Sequence, residues 1–181
     1  MSSTYVSVGE FKGRKLGAKF TDRPTQQKVR QAVFNILADR IQGAQILDLC
    51  CGTGVFGIEA LSLGAAHVSF VDQNISVVKE NTQFLEGKLK GRTFDCLKSS
   101  TQAYICRASR QYDMIFFDPP WRDLKTYEET LGPLLSQDIL RKAGIMVIEH
   151  HKKQDILQWI DPAFMRQSRQ YGDAAIEICQ L

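Results

Sequence analysis

Residues 48–57 read Asp48-Leu49-Cys50-Cys51-Gly52-Thr53-Gly54-Val55-Phe56-Gly57 and join a short apolar run, QILDLC (45–50), to a segment of helical spacing over 55–63. Glycines at such a strand-to-helix junction let the backbone come close to a ligand, which the open N–H groups of the helix start then face. Gly52, Gly54 and Gly57 satisfy GxGxxG in full, and Asp72 closes the next apolar run, HVSFVD (67–72), 20 residues after Gly52. A carboxylate there suits two ribose hydroxyls. The loop alone fits a nicotinamide dinucleotide as well as S-adenosylmethionine. Asp48, four positions before Gly52, favours the second, because a carboxylate below the loop attracts the ammonium of the methionine end and repels a pyrophosphate. The bland alternative is a tight turn with Asp48 bracing the helix start.

Outward from this loop the same alternation continues. Upstream, Thr25 is expected to cap a helix over 26–40 with Val29, Val33, Ile36, Leu37 and Ile41 inward. Downstream, Asn74 caps a helix that turns Ile75, Val78 and Leu85 inward, RTFDC (92–96) is a strand, and a further helix precedes the apolar strand YDMIFFD (112–118). Residues 123–140 read as helix with a break at Gly132-Pro133, IMVIEH (145–150) as strand, and 153–160 as helix ending near Pro162. FMRQSRQ and AAIEICQL then pair around Tyr171-Gly172-Asp173. Strands alternating with helices predict an α/β fold, a mostly parallel seven-stranded sheet with helices on both faces, and the last pair adds a closing antiparallel hairpin.

The composition agrees with one domain: 181 residues, 44% apolar and 24% charged. The net charge of +3 is uneven, however. Residues 1–30 carry Lys12, Arg14, Lys15, Lys19, Arg23, Lys28 and Arg30 against Glu10 and Asp22, a local +5, which leaves the remainder at −2. Residues 1–24 are therefore read as a basic N-terminal arm, expected as a β-hairpin extension, and 25–181 as the catalytic domain. A basic arm suits a polyanionic partner, although a solvated surface segment has the same composition. No run of ~18 apolar residues and no apolar stretch behind the first basic residues occur, so a cytoplasmic chain without a membrane partner is expected. The five cysteines form no CxxC and stand in no zinc-ligand spacing with the three histidines, so they are read as reduced, mostly buried thiols and no structural metal is expected.

Asp118-Pro119-Pro120-Trp121 follows the strand YDMIFF and falls at the carboxyl edge of the sheet, where doubly wound folds bind ligands. Two prolines lack N–H donors and hold the chain extended, so Pro119 is expected to present an unclaimed carbonyl beside the Asp118 carboxylate. A planar base amine has two N–H donors for these acceptors, and orienting them draws the nitrogen toward a tetrahedral form whose lone pair can attack a sulfonium methyl. Trp121 offers a surface on which the base stacks. Such a transfer rests on positioning and electrostatics and needs no metal. A rigid turn with an anchoring tryptophan is the alternative when the motif stands alone.

Together these motifs resemble the amino-group methyltransferases of Rossmann-like fold, and more specifically the bacterial RsmD-type enzymes, the 16S ribosomal RNA guanine-N2 methyltransferases. The resemblance spans Lys12-Gly13-Arg14-Lys15-Leu16, Arg23-Pro24-Thr25 with Val29-Arg30, Phe34-Asn35-Ile36-Leu37, the loop 48–65, DPPW (118–121), Glu149 and Tyr171-Gly172-Asp173. It implies cofactor binding by Asp48, Gly52, Thr53, Gly54 and Asp72, with an adenine contact near Asp95 and Cys96. It implies amine activation and base binding by Asp118, Pro119 and Trp121. It further implies contact of Lys12, Arg14, Lys15, Arg23 and Thr25 with ribosomal RNA, in the small subunit or its assembly intermediate. A monomer is expected, since an enzyme this small docking on a large particle needs no partner chain. Relatives more often carry Phe-Ala-Gly-Ser-Gly at Cys50–Gly54 and Glu at Asp72. Two rivals are an adenine-N6 methyltransferase on DNA or RNA and a nicotinamide-dependent oxidoreductase, for which His150-His151 offers the only proton donors at a strand end.

Overall fold

A computed structural model of the chain describes residues 3–17 and 24–180. Lys19 and Arg23 lie outside them, as does the side chain of Thr25. Strands β1 (Ser3–Tyr5) and β2 (Lys15–Gly17) form an antiparallel two-stranded sheet, so the expected N-terminal hairpin is present over the described part of the arm. The main sheet holds β3 (Gln45–Leu49), β4 (His67–Asp72), β5 (Thr93–Lys98), β6 (Tyr112–Phe117), β7 (Leu140–His151), β8 (Met165–Tyr171) and β9 (Ala174–Gln180) in the order β5-β4-β3-β6-β7-β9-β8. Only β9 runs against its neighbours, on both sides. The predicted seven-stranded, mostly parallel sheet with one antiparallel insertion is therefore the fold.

Strand alternation distributes the core to both faces. Met114 and Phe116 point to one side, with α1 (Pro24–Ile41), α2 (Val55–Ser62), α3 (Ser76–Thr82) and the N-terminal hairpin. Ile115 and Phe117 point to the other, with α4 (Thr101–Ile105) and α5 (Leu124–Ser136). Val6 and Leu16 bury the hairpin in the first core. Among the described residues no helix is long and apolar enough to cross a membrane.

Several local expectations change. Helix α1 begins at Pro24, a position where the missing N–H costs nothing, so Thr25 is its second residue and not its cap. At about 100° per residue its buried stripe centres on Leu37, which takes in Phe34 and leaves Ile36 just beyond the edge, 44% exposed. Asn74 stands two residues before α3, where its Oδ1 accepts from the Ser76 N–H, and Leu85 is buried in a 3-10 turn that continues the helix. Pro133 sits inside α5 without breaking it, although the helix stops one turn later at Ser136. The helix expected over 153–160 is only a 3-10 turn, Leu157–Trp159. There Ile156, Ile160 and Phe164 anchor the segment to the second core, while the Asp155 carboxylate holds the Leu157 N–H locally. All five cysteines are free, but just Cys51 and Cys179 are buried.

Candidate active site

The carboxyl ends of β3, β4, β6 and β7 open into one cleft of about 1440 Å³. The glycine loop forms its floor. Gly54 has φ +75°, and a Cβ there would stand 2.4 Å from Val78; a Cβ on Gly57 would stand 2.2 Å from the Phe70 ring. Both positions need glycine, the first for its left-handed backbone and the second so that α2 can lie on β4. A Cβ on Gly52 would meet nothing within 4 Å, because this residue faces the cleft.

Asp48, 3% exposed, lines the cleft and also accepts the Gly57 N–H at 2.9 Å, so it braces the helix start and faces the ligand space at once. Burial pushes its carboxyl up to about 8, helped by the charges of Asp118 and Asp72 and opposed by the Gly57 hydrogen bond. Asp72 accepts from the N–H groups of Gly52 (3.0 Å) and Asn74 (2.8 Å), which ties the end of β4 to the loop. Thr53 lines the cleft with its carbonyl bound by Asn81. Asp95 and Cys96 do not line it: the Asp95 carboxylate lies 3.5 Å from His67 Nε2, and Cys96 Sγ lies 3.9 Å from Thr82 Oγ1. The reason is that β5 runs two residues past Cys96, to Lys98, so Ser99 and Thr101 reach the cleft edge in their place.

Asp118, Pro119, Pro120 and Trp121 form the opposite wall. Burial pushes the Asp118 carboxyl up to about 7. The Pro119 carbonyl is not wholly unclaimed, as the sequence suggested, because the buried Tyr127 hydroxyl lies 3.2 Å from it. That hydroxyl has one hydrogen and sits closer, at 2.8 Å, to the Glu149 carbonyl, which leaves Pro119 oxygen with acceptor capacity. Trp121 packs edge-on against His151, centroids 5.2 Å apart, and the Gln154 amide donates to its carbonyl. Glu149, His151, Gln154, Arg30 and Thr4 complete the walls. Sequence patterns did not place Gln154, Arg30 or Thr4 in the site, since their motifs carry no signal for it, whereas His151 was marked by its strand-end position. Its neighbour His150 points away, 3.5 Å from Glu177. Among the described residues no group of three His, Cys, Asp or Glu is arranged for a metal ion.

Two raised carboxyls give a pH signature. Each binds its proton more tightly in the fold than in the unfolded chain, so the stability it contributes is present at low pH and is lost as pH rises through its folded value. The melting temperature of the ligand-free protein is expected to fall from pH 5 to 8.5, a window bounded by about 8 for Asp48 and about 7 for Asp118. A flat thermal-melt profile there would show that both carboxyls are solvated.

The sheet order and a glycine-loop cleft faced by DPPW define a Rossmann-like methyltransferase fold. It superposes on a structure titled "Putative methyltransferase yhhF from Escherichia coli" with a TM-score of 0.85 and 26% identity over 99% of this chain and 98% of that one. The chain belongs to the family described as Conserved hypothetical protein 95, whose model matches residues 4–180. Its relatives include "Putative rRNA methyltransferase YlbH" of Bacillus subtilis, 32% identical over 96% of both chains. Ribosomal RNA small subunit methyltransferase D of Escherichia coli K12 is 31% identical over 78% of this chain and 71% of its own. The RsmD-type resemblance of the sequence is thus confirmed at the level of the family.

Proposed function

We propose that this protein is an S-adenosylmethionine-dependent methyltransferase acting on the exocyclic N2 amine of a guanine in 16S ribosomal RNA, within the small subunit or its assembly intermediate. The observation that carries the proposal is that Asp118, Pro119 and Trp121 share one cleft with Asp48, Asp72 and the glycine loop. The residues fit the cofactor: Gly52 leaves room for it, Asp48 offers a buried carboxylate to a cationic amino-acid end, and Asp72 stands at the strand end that suits ribose hydroxyls. When bound, S-adenosylmethionine supplies a methyl group on a sulfonium whose departure leaves a neutral thioether. The chain's own task is to hold the amine. Asp118 and the Pro119 carbonyl accept hydrogen bonds from its two N–H groups, and Trp121 stacks its ring. As the C–S bond breaks and the N–C bond forms, Asp118 takes the proton that the nitrogen releases. The resemblance of the sequence to RsmD-type enzymes favours guanine over adenine, and the buried Asp48 below the loop favours a cationic amino-acid end over a pyrophosphate.

Calorimetric titration should show binding of S-adenosylmethionine and none of NADH. Ribosomal RNA from cells lacking the gene should lose one N2-methylguanine from the 16S species, and an unchanged methylation map would overturn the substrate. Trp121→Ala should weaken RNA substrate by the worth of one base stack, about 1–3 kcal/mol, with cofactor affinity unchanged; unaltered KM for RNA would remove the stacking role.

A further inference from the structure

The hairpin is not the whole of the basic surface. Its tip packs on the segment 83–92, which brings EGKLKGR (86–92) against Glu10, Phe11 and Arg14 of the hairpin. Phe11 and Phe84 meet edge to face at 5.6 Å and form the joint. Arg14 lies 4.6 Å and Lys88 5.9 Å from the Phe84 ring centre, and Arg92 lies 5.8 Å from that of Phe11. The two segments, 10–16 and 86–92, gather six basic residues against Glu10 and Glu86. Glu10 is engaged by Arg92 and Lys90, and Arg92 is further spent on the carbonyls of Leu61 and Leu89. Lys12, Arg14, Lys15, Lys88 and Lys90 remain exposed, Lys90 with 79% of its side chain in solvent despite its pairing.

The base of the hairpin reaches the cleft, which Thr4 lines, while its tip lies at the amino edge of the sheet: the Glu10 N–H donates to the Ser62 carbonyl at the end of α2, and 86–92 lies just before β5 begins. Asn81 Oδ1 accepts the Gly17 N–H at 2.7 Å, and its Nδ2 donates to the carbonyls of Gly17 and Thr53, both at 2.9 Å. One buried side chain thus spans from the end of β2 to the glycine loop.

We propose that the hairpin and the segment 86–92 form a single RNA-phosphate platform, in which Lys88 and Lys90 bind the backbone of the substrate at the end of the sheet away from the cleft. The platform rests on the RNA reading of the substrate given above. Long cations held over aromatic rings are partly preordered, so they bind phosphates at a lower entropic cost than loose lysines. Sequence order hides the platform, because its halves lie about seventy positions apart and the second falls within a body of net negative charge.

The test uses the full chain with Lys88→Glu, Lys90→Glu and, as a matched charge reversal of an exposed lysine on β7, four strands across the sheet from β5, Lys142→Glu. Binding is measured by filter retention against small ribosomal subunits from cells lacking the gene and against their protein-free 16S RNA, over a range of salt. Each platform variant should bind ~5-fold or more weakly and lower the slope of log affinity on log salt by about one, while Lys142→Glu and the cofactor affinity of all three stay at the wild-type value. If Lys88→Glu and Lys90→Glu behave like Lys142→Glu, or if the wild type retains neither RNA, the platform is overturned. Wild-type binding without methyl transfer would instead remove the proposed function and leave the platform to be decided by the slopes.

Discussion

Asp118→Ala is expected to lower methyl transfer to the RNA by a factor of about 10²–10³ while S-adenosylmethionine binds within about 2-fold of the wild type. The lone pair of an exocyclic amine is delocalised into its ring, and the nitrogen becomes nucleophilic only as it pyramidalises. In the proposed site, two acceptors at the corners of that geometry, the Asp118 carboxylate and the Pro119 carbonyl, would stabilise the pyramidal form more than the planar one. Losing one therefore lowers kcat more than KM. The carboxyl accepts best when ionised, and burial pushes it up to about 7, so the wild-type rate should climb between pH 6 and 8. Asp118→Asn, which does not titrate, should flatten that climb. Cofactor affinity and rate falling together by equal factors in Asp118→Ala would refute the assignment.

The second large effect is on stability. Arg30 and Glu59 are 2% and 0% exposed, with Nε and Oε1 3.3 Å apart, and the pair joins α1 to α2 beneath the hairpin. The same Glu59 oxygen accepts the Ser7 N–H at 2.7 Å, while Arg30 Nη2 reaches Thr4 Oγ1 and the Tyr5 carbonyl at 3.4 Å. Arg30→Ala strands a buried carboxylate and should cost about 3–5 kcal/mol, because one partner is lost and the desolvation of the other is not regained. In a chain of this size that is a fall of roughly 10 °C in melting temperature. Combining Arg30→Met with Glu59→Gln keeps an acceptor for Ser7 and removes the stranded charge, so it should recover most of the loss. A loss below about 1 kcal/mol in Arg30→Ala by urea unfolding would mean that water already reaches the pair.

The charge arithmetic of the first thirty residues shows where a sequence reading stops. It counted Arg30 among the cations of the arm, but the fold buries that charge against Glu59. It passed over Lys88 and Lys90, which the fold sets beside the hairpin. The family resemblance implied an adenine contact near Asp95 and Cys96, at the end of the strand expected over 92–96. Two more residues of pairing with β4 carry that strand to Lys98 and move the cleft edge to Ser99.

What the sequence determined alone are the features enforced within a few bonds. These are the glycines where φ is positive or a helix crosses a strand, the rigid Asp-Pro-Pro-Trp after an apolar strand, and the alternation that makes a covered parallel sheet. Each follows from local sterics, missing donors or periodicity, which the order of residues contains. The tertiary structure alone decided which charges are buried, that Tyr127 shares the Pro119 carbonyl, that Asn81 links the hairpin to the glycine loop, and that two distant basic segments form one surface. Burial and proximity between residues far apart in the chain arise from packing, and no local pattern encodes them.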